Sequence, residues 1–271
     1  MNYFKFEFKR AIKNLGFYFS ISVGIILSLL HIIFCVIPEY NMQDNYVSRF
    51  EYPSSVYNLW ISMDMTSIFT IILFFLVPIL SAIPYATSYL KDKKSGYQSV
   101  ICSKVGIKKY YQTKFLVQFS VSGLIIVIPL LFDFLATGLF LPFLIPQAST
   151  ALFPIGDKSF CSVLYYEKPL LYVLLYLILD FLIIGSLESV SFFTCLFSDN
   201  SFIVIMSPFI VFVSLFFLTD LFENYGFNTF SILQASQPAD TGIIFILLEI
   251  LIFLFLSILS IYILRKRNEV H

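Results

Sequence analysis

The sequence predicts an all-α integral membrane protein that folds as one transmembrane domain over residues 1–271. Of these residues, 59% are hydrophobic and only 13% are charged, and the mean hydropathy is +0.88. Soluble domains carry about 25% charged residues. The polar side chains are therefore too few to cover the 33 Phe residues in water, which excludes a water-soluble globule.

Six apolar runs reach the length of about 20 residues that a hydrocarbon core of ~30 Å requires. They are Gly16–Ile37, Ser67–Leu90, Phe115–Phe140, Leu170–Phe197, Phe202–Leu221 and Ile243–Leu264. The first run is too long for the core of a cleaved signal peptide, and the polar sequence PEYNMQ follows it. We therefore expect six retained transmembrane helices.

The distribution of cations predicts the orientation of these helices. If the connections alternate between two sides, one side receives 14 of the 17 Lys and Arg residues, and the other receives only Arg49, Lys158 and Lys168. Cytoplasmic loops carry the excess of Lys and Arg, so both termini are expected to be cytoplasmic. The abundance of Phe, Ile, Lys and Asn indicates an AT-rich genome, and we expect a bacterial plasma membrane.

Several kinds of site lack a motif in this chain. There is no GxxxxGK[ST] phosphate loop and no HExxH zinc motif. The four Cys residues show no CxxC spacing and only two His residues are present, so no metal site and no cofactor are predicted. No nucleic-acid partner is expected. Cys35 and Cys161 lie towards the outer side and could pair, although free thiols are favoured.

The first residues predict a short amphipathic helix before the first span. One helical face carries apolar residues, namely Phe4, Phe8, Ala11, Ile12 and Leu15. Lys5, Lys9 and Lys13 occupy another face, as in helices that lie on a membrane surface. A plain basic anchor that only sets the topology is the alternative.

The stretch 91–115, KDKKSGYQSVICSKVGIKKYYQTKF, holds seven cations and one acid, Asp92. Apolar residues recur at helical spacing on each side of Gly106: Tyr97, Val100, Ile101 and Val105 before it, and Ile107, Tyr110 and Tyr111 after it. This spacing predicts two short amphipathic helices joined by a glycine corner. A loop that only sets the topology would need the lysines but no apolar face.

The order of these elements resembles the permease subunit of ABC transporters of the type-two export family, whose members export drugs, lantibiotics or polysaccharides. The resemblance covers the topology of the whole chain. It rests on Gly96, the helix Tyr97–Cys102, the basic corner Val105–Lys109 and Lys114. Glu7 is similar to an acid in the family's N-terminal elbow helix, and FENYGFNTFSILQAS is similar to its re-entrant helices. The chain departs from the family at Gly106, where Pro is usual, and it has no acid just before Gly96.

The resemblance implies that the chain is not itself an enzyme. A separate ATP-binding subunit, present in two copies, would bind ATP and Mg, and a second permease copy or a sister permease would complete the membrane part. The resemblance places ATPase docking on a set of cytoplasmic residues: Glu7, Gly96, Tyr97, Gln98, Ser99, Val100, Ile101 and Gly106. The cargo would be an amphipathic or hydrophobic peptide, drug or lipid-like molecule.

Four acids fall inside the predicted spans and are candidates for a substrate path: Asp133, Asp180, Glu188 and Glu249. His31 lies in the first span, and no Lys or Arg lies in a span core. Ionisable groups at membrane depth usually face a cavity or a partner, although protonated acids that hydrogen-bond between helices fit equally. Asp180 and Glu188 are about 80° apart around one helix. An ion-coupled secondary transporter and a non-transport membrane protein, such as an immunity protein, a sensor or an enzyme, remain alternatives.

Overall fold

The computed structural model describes residues 3–43, 54–147, 155–156, 159–221, 228–237 and 242–269, and every regular element in these ranges is helical. In chain order, the helices are α1 (Tyr3–Ile12), α2 (Leu15–His31), a π-helical turn (Ile32–Val36), α3 (Ile37–Gln43), α4 (Val56–Leu59), α5 (Ile68–Ala82), α6 (Ser88–Lys94), α7 (Tyr97–Val105), α8 (Ile107–Phe140), α9 (Ser162–Glu167), α10 (Pro169–Leu187), α11 (Ser189–Thr194), α12 (Ser201–Leu221), α13 (Thr229–Leu233) and α14 (Ile243–Glu269).

Within the described ranges, five helices are long and apolar enough to cross a membrane. They cover Leu15–Met42, Ile107–Phe140, Pro169–Thr194, Ser201–Thr219 and Ile243–Lys266. The first and third of them run through short interruptions, at the π-helical turn and at Glu188. These five helices give the chain the architecture of a multi-pass membrane protein.

The predicted span Ser67–Leu90 is divided in the structure, which differs from our expectation of one continuous helix. Helix α5 ends at Ala82, and a turn through Pro84 leads into α6. Proline has no N–H to donate a helical hydrogen bond. At the turn, the Pro84 carbonyl oxygen accepts a hydrogen bond from the Asn14 side chain at 2.6 Å. The 15 residues of α5 extend about 22 Å, which is less than the hydrocarbon thickness.

Helices α8 and α10 pack closely because each provides a glycine for a phenylalanine of the other. A Cβ on Gly123 would lie 2.4 Å from the Phe181 ring, and a Cβ on Gly185 would lie 2.9 Å from the Phe119 carbonyl oxygen. The two rings meet edge to face, with 5.7 Å between their centroids. This close contact makes α8 and α10 the central pair against which α2, α5 and α14 pack.

Two connecting segments pack into the bundle at the end opposite to α1. The first follows α4 and places Trp60, Ile61 and Met63 in the core. The second comprises α13 and residues 234–237, which are also buried. The segments meet where the Ala235 amide donates to the Ser62 hydroxyl at 3.0 Å. Residues 222–227 of the predicted re-entrant segment lie outside the described residues.

Candidate functional site

Four charged side chains join α1, α6 and α8 at the end of the bundle that carries the amino terminus. We call Glu7, Arg10, Asp92 and Lys114 the amino-terminal network. Glu7, Asp92 and Lys114 are buried, and Arg10 is partly exposed. Buried charges of opposite sign must lie close together to offset the free-energy cost of their desolvation. The distances within this network therefore decide whether it stabilises the contact of the three helices.

Lys114 lies at the centre of the amino-terminal network. Its ammonium group is 2.9 Å from Glu7 Oε2 and 2.6 Å from Asp92 Oδ2. It also donates to the Ser88 hydroxyl at 3.3 Å, and it lies above the Tyr85 ring, 5.0 Å from the centroid. One cation on α8 thus binds an acid of α1 and an acid of α6 at the same time.

Each carboxylate of the network has further donors. Glu7 accepts hydrogen bonds from the hydroxyls of Tyr85, at 2.5 Å, and Tyr3, at 3.2 Å. Asp92 accepts from Arg10 Nη2 at 2.9 Å and from the Tyr110 hydroxyl at 3.1 Å. Burial by itself would raise the pKa of the Asp92 carboxyl, but the Lys114 ammonium and the hydrogen bond from Arg10 hold that pKa below its ordinary value.

The local sequence explains how α1 brings Glu7 into the bundle. Tyr3, Glu7 and Ala11 are four residues apart, so they share one helical face, and all three are buried. The predicted apolar face lies beside this one, with Phe4, Phe8 and Ile12 only partly buried. Leu15 does not continue that face as predicted: it begins α2 after the Asn14 cap and is 85% exposed.

The predicted helix before Gly106 is present as α7, and a glycine with positive φ lies at each end of it. Gly96 has φ 72° and Gly106 has φ 85°, conformations that are strained for other residues. The second predicted helix is not a separate short element, because Ile107 already belongs to the 34-residue helix α8. The glycine corner therefore joins α7 directly to a helix of membrane-spanning length.

The face that α7 turns towards the bundle differs in part from the predicted one. Tyr97, Gln98 and Ile101 are half-buried, and Gln98 donates to the Tyr111 hydroxyl at 3.1 Å. Val100, predicted on the apolar face, is instead 51% exposed, and Ser99 is exposed beside it. A helix turns by about 100° per residue, and the half-buried arc of α7 is centred on Gln98 and Ile101, so Ser99 and Val100 lie outside it.

Three of the four predicted intramembrane acids have a described partner. Glu188 accepts from the Ser81 hydroxyl at 2.7 Å, Glu249 accepts from the Thr229 hydroxyl, and Asp133 is 2.9 Å from His31 Nδ1. Asp180 is fully buried, and neither of its oxygens has a hydrogen-bond partner among the described residues. The structure thus does not join Asp180 and Glu188 in one polar site.

Sequence reasoning missed two interactions of this structure. Lys114 enters only through the resemblance and Asp92 only as the one acid of a basic segment, so the sequence does not predict their ion pair. The pairing of His31 with Asp133 was also not predicted, although both residues were noted inside spans. The sequence did contain a signal for this second pair, because His31 and Asp133 are ionisable residues inside two apolar runs. An ionisable residue at membrane depth usually has a partner of opposite charge.

The chain shows no match in three comparisons: no protein-family profile, no curated protein and no solved structure is similar to it.

Proposed function

We propose that this protein is the membrane-spanning permease subunit of an ATP-driven exporter of the ABC type. The observation that supports this proposal best is the amino-terminal network together with α7. An exposed helix between two glycines adjoins a buried set of ion pairs that ties α1, α6 and α8 together. A partner that displaces α7 would thereby displace a helix of membrane-spanning length.

The proposed mechanism uses α7 as the contact and the network as the rigid connection. An ATPase subunit docks on the exposed face of α7, at Ser99 and Val100. Closure of two ATPases on ATP pushes α7 against α6 and α8. Because Lys114 binds Glu7 and Asp92 together, α1 and α6 follow the movement of α8. In this assignment Glu7 transmits the movement, since it is buried and presents no surface to the ATPase.

A cleft beside the network adds to the proposed docking surface. It has a volume of about 180 Å³ and is lined in part by Arg10, Asn14, Tyr85 and Lys91. The charge of Arg10 is paired with Glu7 and Asp92, so Lys91 makes this cleft basic, and an acidic side chain of the ATPase would be attracted to it. In the proposed orientation α1, α7 and the cleft face the cytoplasm, both termini are cytoplasmic, and α5 with α6 forms the second of six passages.

The membrane part of the exporter is proposed to contain two permeases. Helices α12 and α14 expose many large apolar side chains, among them Phe202, Phe217, Ile244 and Phe255. Soluble proteins rarely expose apolar patches of this extent, and lipid together with a second permease would cover them. The cargo is proposed to be amphipathic or hydrophobic.

The test compares one charged substitution at opposite ends of the bundle. Val100→Glu places a carboxylate on α7, and Val163→Glu places one on α9, where the valine is 67% exposed. The chain is purified with the ATPase encoded beside its gene, and ATP hydrolysis is measured in proteoliposomes. Val100→Glu should abolish copurification and permease-dependent hydrolysis, and Val163→Glu should preserve both. Equal behaviour of the two variants would remove the docking assignment.

A second candidate, an ion-coupled transporter, is favoured by one observation. Asp180 is buried, and within the part of the chain that the structure describes neither carboxylate oxygen has a partner. A group in this state could bind and release a proton during transport. Transport by this mechanism would collapse with an ionophore and would not need ATP. Transport that persists with the ionophore and stops without ATP would exclude it.

A further inference from the structure

A group of metal-binding side chains lies at the end of the bundle opposite to the amino-terminal network. His31 ends α2, Cys35 lies in the π-helical turn that follows, and Asp64 comes from the segment between α4 and α5. One ligand atom of each residue lies within 4.8 Å of the others. His31 and Asp64 are buried and Cys35 is partly buried. We call these three residues, with Asp133, the His31 cluster.

Neighbouring groups orient the ligand atoms of the His31 cluster. His31 Nδ1 is 2.9 Å from Asp133 Oδ2, and the Ile61 amide donates to Asp133 Oδ1 at 2.7 Å. A carboxylate on one imidazole nitrogen is the usual arrangement behind a metal-ligating histidine, because it fixes the tautomer that leaves the other nitrogen free. Asp133 is thereby a positioning residue that turns Nε2 of His31 towards Asp64 and Cys35.

Asp64 is oriented in the same way. Its Oδ1 atom accepts hydrogen bonds from the Thr66 amide at 3.0 Å, the Thr66 hydroxyl at 2.7 Å and the Ser67 amide at 3.2 Å. Its Oδ2 atom faces His31 Nε2 at 3.4 Å. The three donors to Oδ1 leave Oδ2 available for a ligand in the space that His31 and Cys35 also line.

We propose that His31, Cys35 and Asp64 bind a divalent transition-metal ion of the zinc class. Imidazole nitrogen, thiolate sulfur and carboxylate oxygen are the donors that Zn²⁺ prefers. In tetrahedral coordination with bonds of about 2.0–2.1 Å, two N or O ligands lie ~3.3 Å apart. The 3.4 Å between His31 Nε2 and Asp64 Oδ2 matches this separation and exceeds the usual length of an N–H···O hydrogen bond.

Three protein ligands leave one coordination position for water or another small ligand, as in exchangeable zinc sites. Metal binding requires the thiolate, so Cys35 releases its proton to the solvent. The Ser67 hydroxyl, 3.5 Å from Cys35 Sγ, can then donate to the thiolate. The bound ion would tie the segment before α5 to the first long helix. This proposal does not depend on the transport function.

The metal proposal departs from the sequence-based expectation of no metal site. That expectation rested on the scarcity of histidine and on the absence of CxxC spacing. The proposed ligands are His31 and Cys35, which are four residues apart along the first long helix, and an aspartate 33 residues from the histidine. A π-helical turn begins directly after His31, and such turns occur often at functional sites.

A proton is the competing occupant of the space between His31 and Asp64. A protonated imidazole would form ion pairs with Asp133 and Asp64 but would involve no thiol. The role of Cys35 therefore separates the two occupants. Spectroscopy with Co²⁺ is suited to this question, because a thiolate ligand gives cobalt a charge-transfer band that oxygen and nitrogen ligands do not give.

The experiment titrates the purified full-length chain in detergent with Co²⁺ and then with Zn²⁺. The wild type should bind about one Co²⁺ per chain with tetrahedral d–d absorption and a thiolate charge-transfer band, and Zn²⁺ should displace it. Cys35→Ser should lose the charge-transfer band. Asp133→Asn should keep the band but bind about 10–100-fold more weakly, because the support of His31 is lost.

Cys161→Ser is the matched control, since Cys161 is also partly buried but lies outside the cluster, and its spectrum should equal that of the wild type. A second measurement does not depend on the folding of Cys35→Ser. In a chain that keeps only Cys35, with Ser at Cys102, Cys161 and Cys195, Zn²⁺ should slow maleimide labelling. Absence of the cobalt band in the wild type, or an unchanged band in Cys35→Ser, would overturn the proposal.

Discussion

The two charged clusters lie at opposite ends of the bundle and differ in their balance of charge. In the amino-terminal network, Lys114 and Arg10 face two carboxylates, and each carboxylate touches both cations. In the His31 cluster, two carboxylates share a single imidazole and a thiol lies beside them. A balanced cluster pairs its charges within the chain, whereas the acid-rich cluster is the one where we propose that a further cation binds.

The largest expected effect comes from removing the central cation of the balanced network. Lys114→Met leaves the buried Glu7 carboxylate without its closest cation, and breaking a buried ion pair costs about 3–5 kcal/mol. We expect a clear fall in the melting temperature in detergent, with Lys108→Met, an exposed lysine of the same helix, as the control. Adding Glu7→Gln to Lys114→Met should recover part of the loss. Without such recovery, the two side chains do not act together.

Removing the imidazole should have a smaller effect at the other end. His31→Leu leaves Asp133 with its hydrogen bond from the Ile61 amide, so we expect a loss of about 2–3 kcal/mol in the free energy of unfolding, below the full cost of a broken buried pair. The double variant His31→Leu with Asp133→Leu should be more stable than the single one, since it removes both partners. Thermal denaturation of the two variants measures the difference. A double variant of lower stability would contradict the pairing.

The unpaired acid between these clusters should oppose stability. Asp180 is buried, and neither of its oxygens has a hydrogen-bond partner in the described ranges. An unsatisfied buried polar group costs about 1–3 kcal/mol. Asp180→Val should therefore raise the melting temperature, whereas the same substitution at Asp133, whose two oxygens are bonded, should lower it. If Asp180→Val raises stability and abolishes transport, the carboxyl is kept for function.

The smallest expected effect is a pH dependence of the balanced network. The pKa of the Asp92 carboxyl is held below its ordinary value in the folded protein. The ionised carboxyl therefore stabilises the fold fully at pH values above its pKa in the unfolded chain, about 4. This stabilisation is lost as the pH falls through its pKa in the folded protein. The melting temperature of the wild type should exceed that of Asp92→Asn by a constant amount at neutral pH, and the difference should shrink in acid. Asp199→Asn, whose carboxyl is exposed, should show little difference at either pH. An Asp92→Asn difference that grows in acid would refute the lowered pKa.

Much of the helical structure could be predicted because its causes are local. Five of the six apolar runs correspond to helices of membrane-spanning length within the described residues. The remaining run, Ser67–Leu90, is predicted to be one continuous helix, but the structure interrupts it at Pro84. The sequence shows this proline, yet its presence does not predict the interruption. Proline is tolerated inside α5 at Pro78. The residue type alone therefore does not decide where a helix ends.

The candidate sites could be predicted only in part. The helical spacing of α7 and the corner at Gly106 could be predicted from the sequence, because both follow from residues that are close together in the chain. The spacing did not show that Val100 faces away from the bundle, since that depends on which neighbour the helix meets. It also did not show that Glu7 is a buried partner rather than a surface residue, because its cation lies 107 residues away.

By itself, the sequence determined that this chain is helical, apolar enough for a membrane and turned at Gly106, because the spacing of apolar residues and the backbone freedom of glycine are properties of short segments. The second turn, at Gly96, came from the structure. Only the tertiary structure decided which charges meet. Glu7 with Lys114, and His31 with Asp133, come from helices that are about a hundred residues apart in the chain. Their contact depends on the rotation and depth of each helix, which the close packing of α8 against its neighbours fixes.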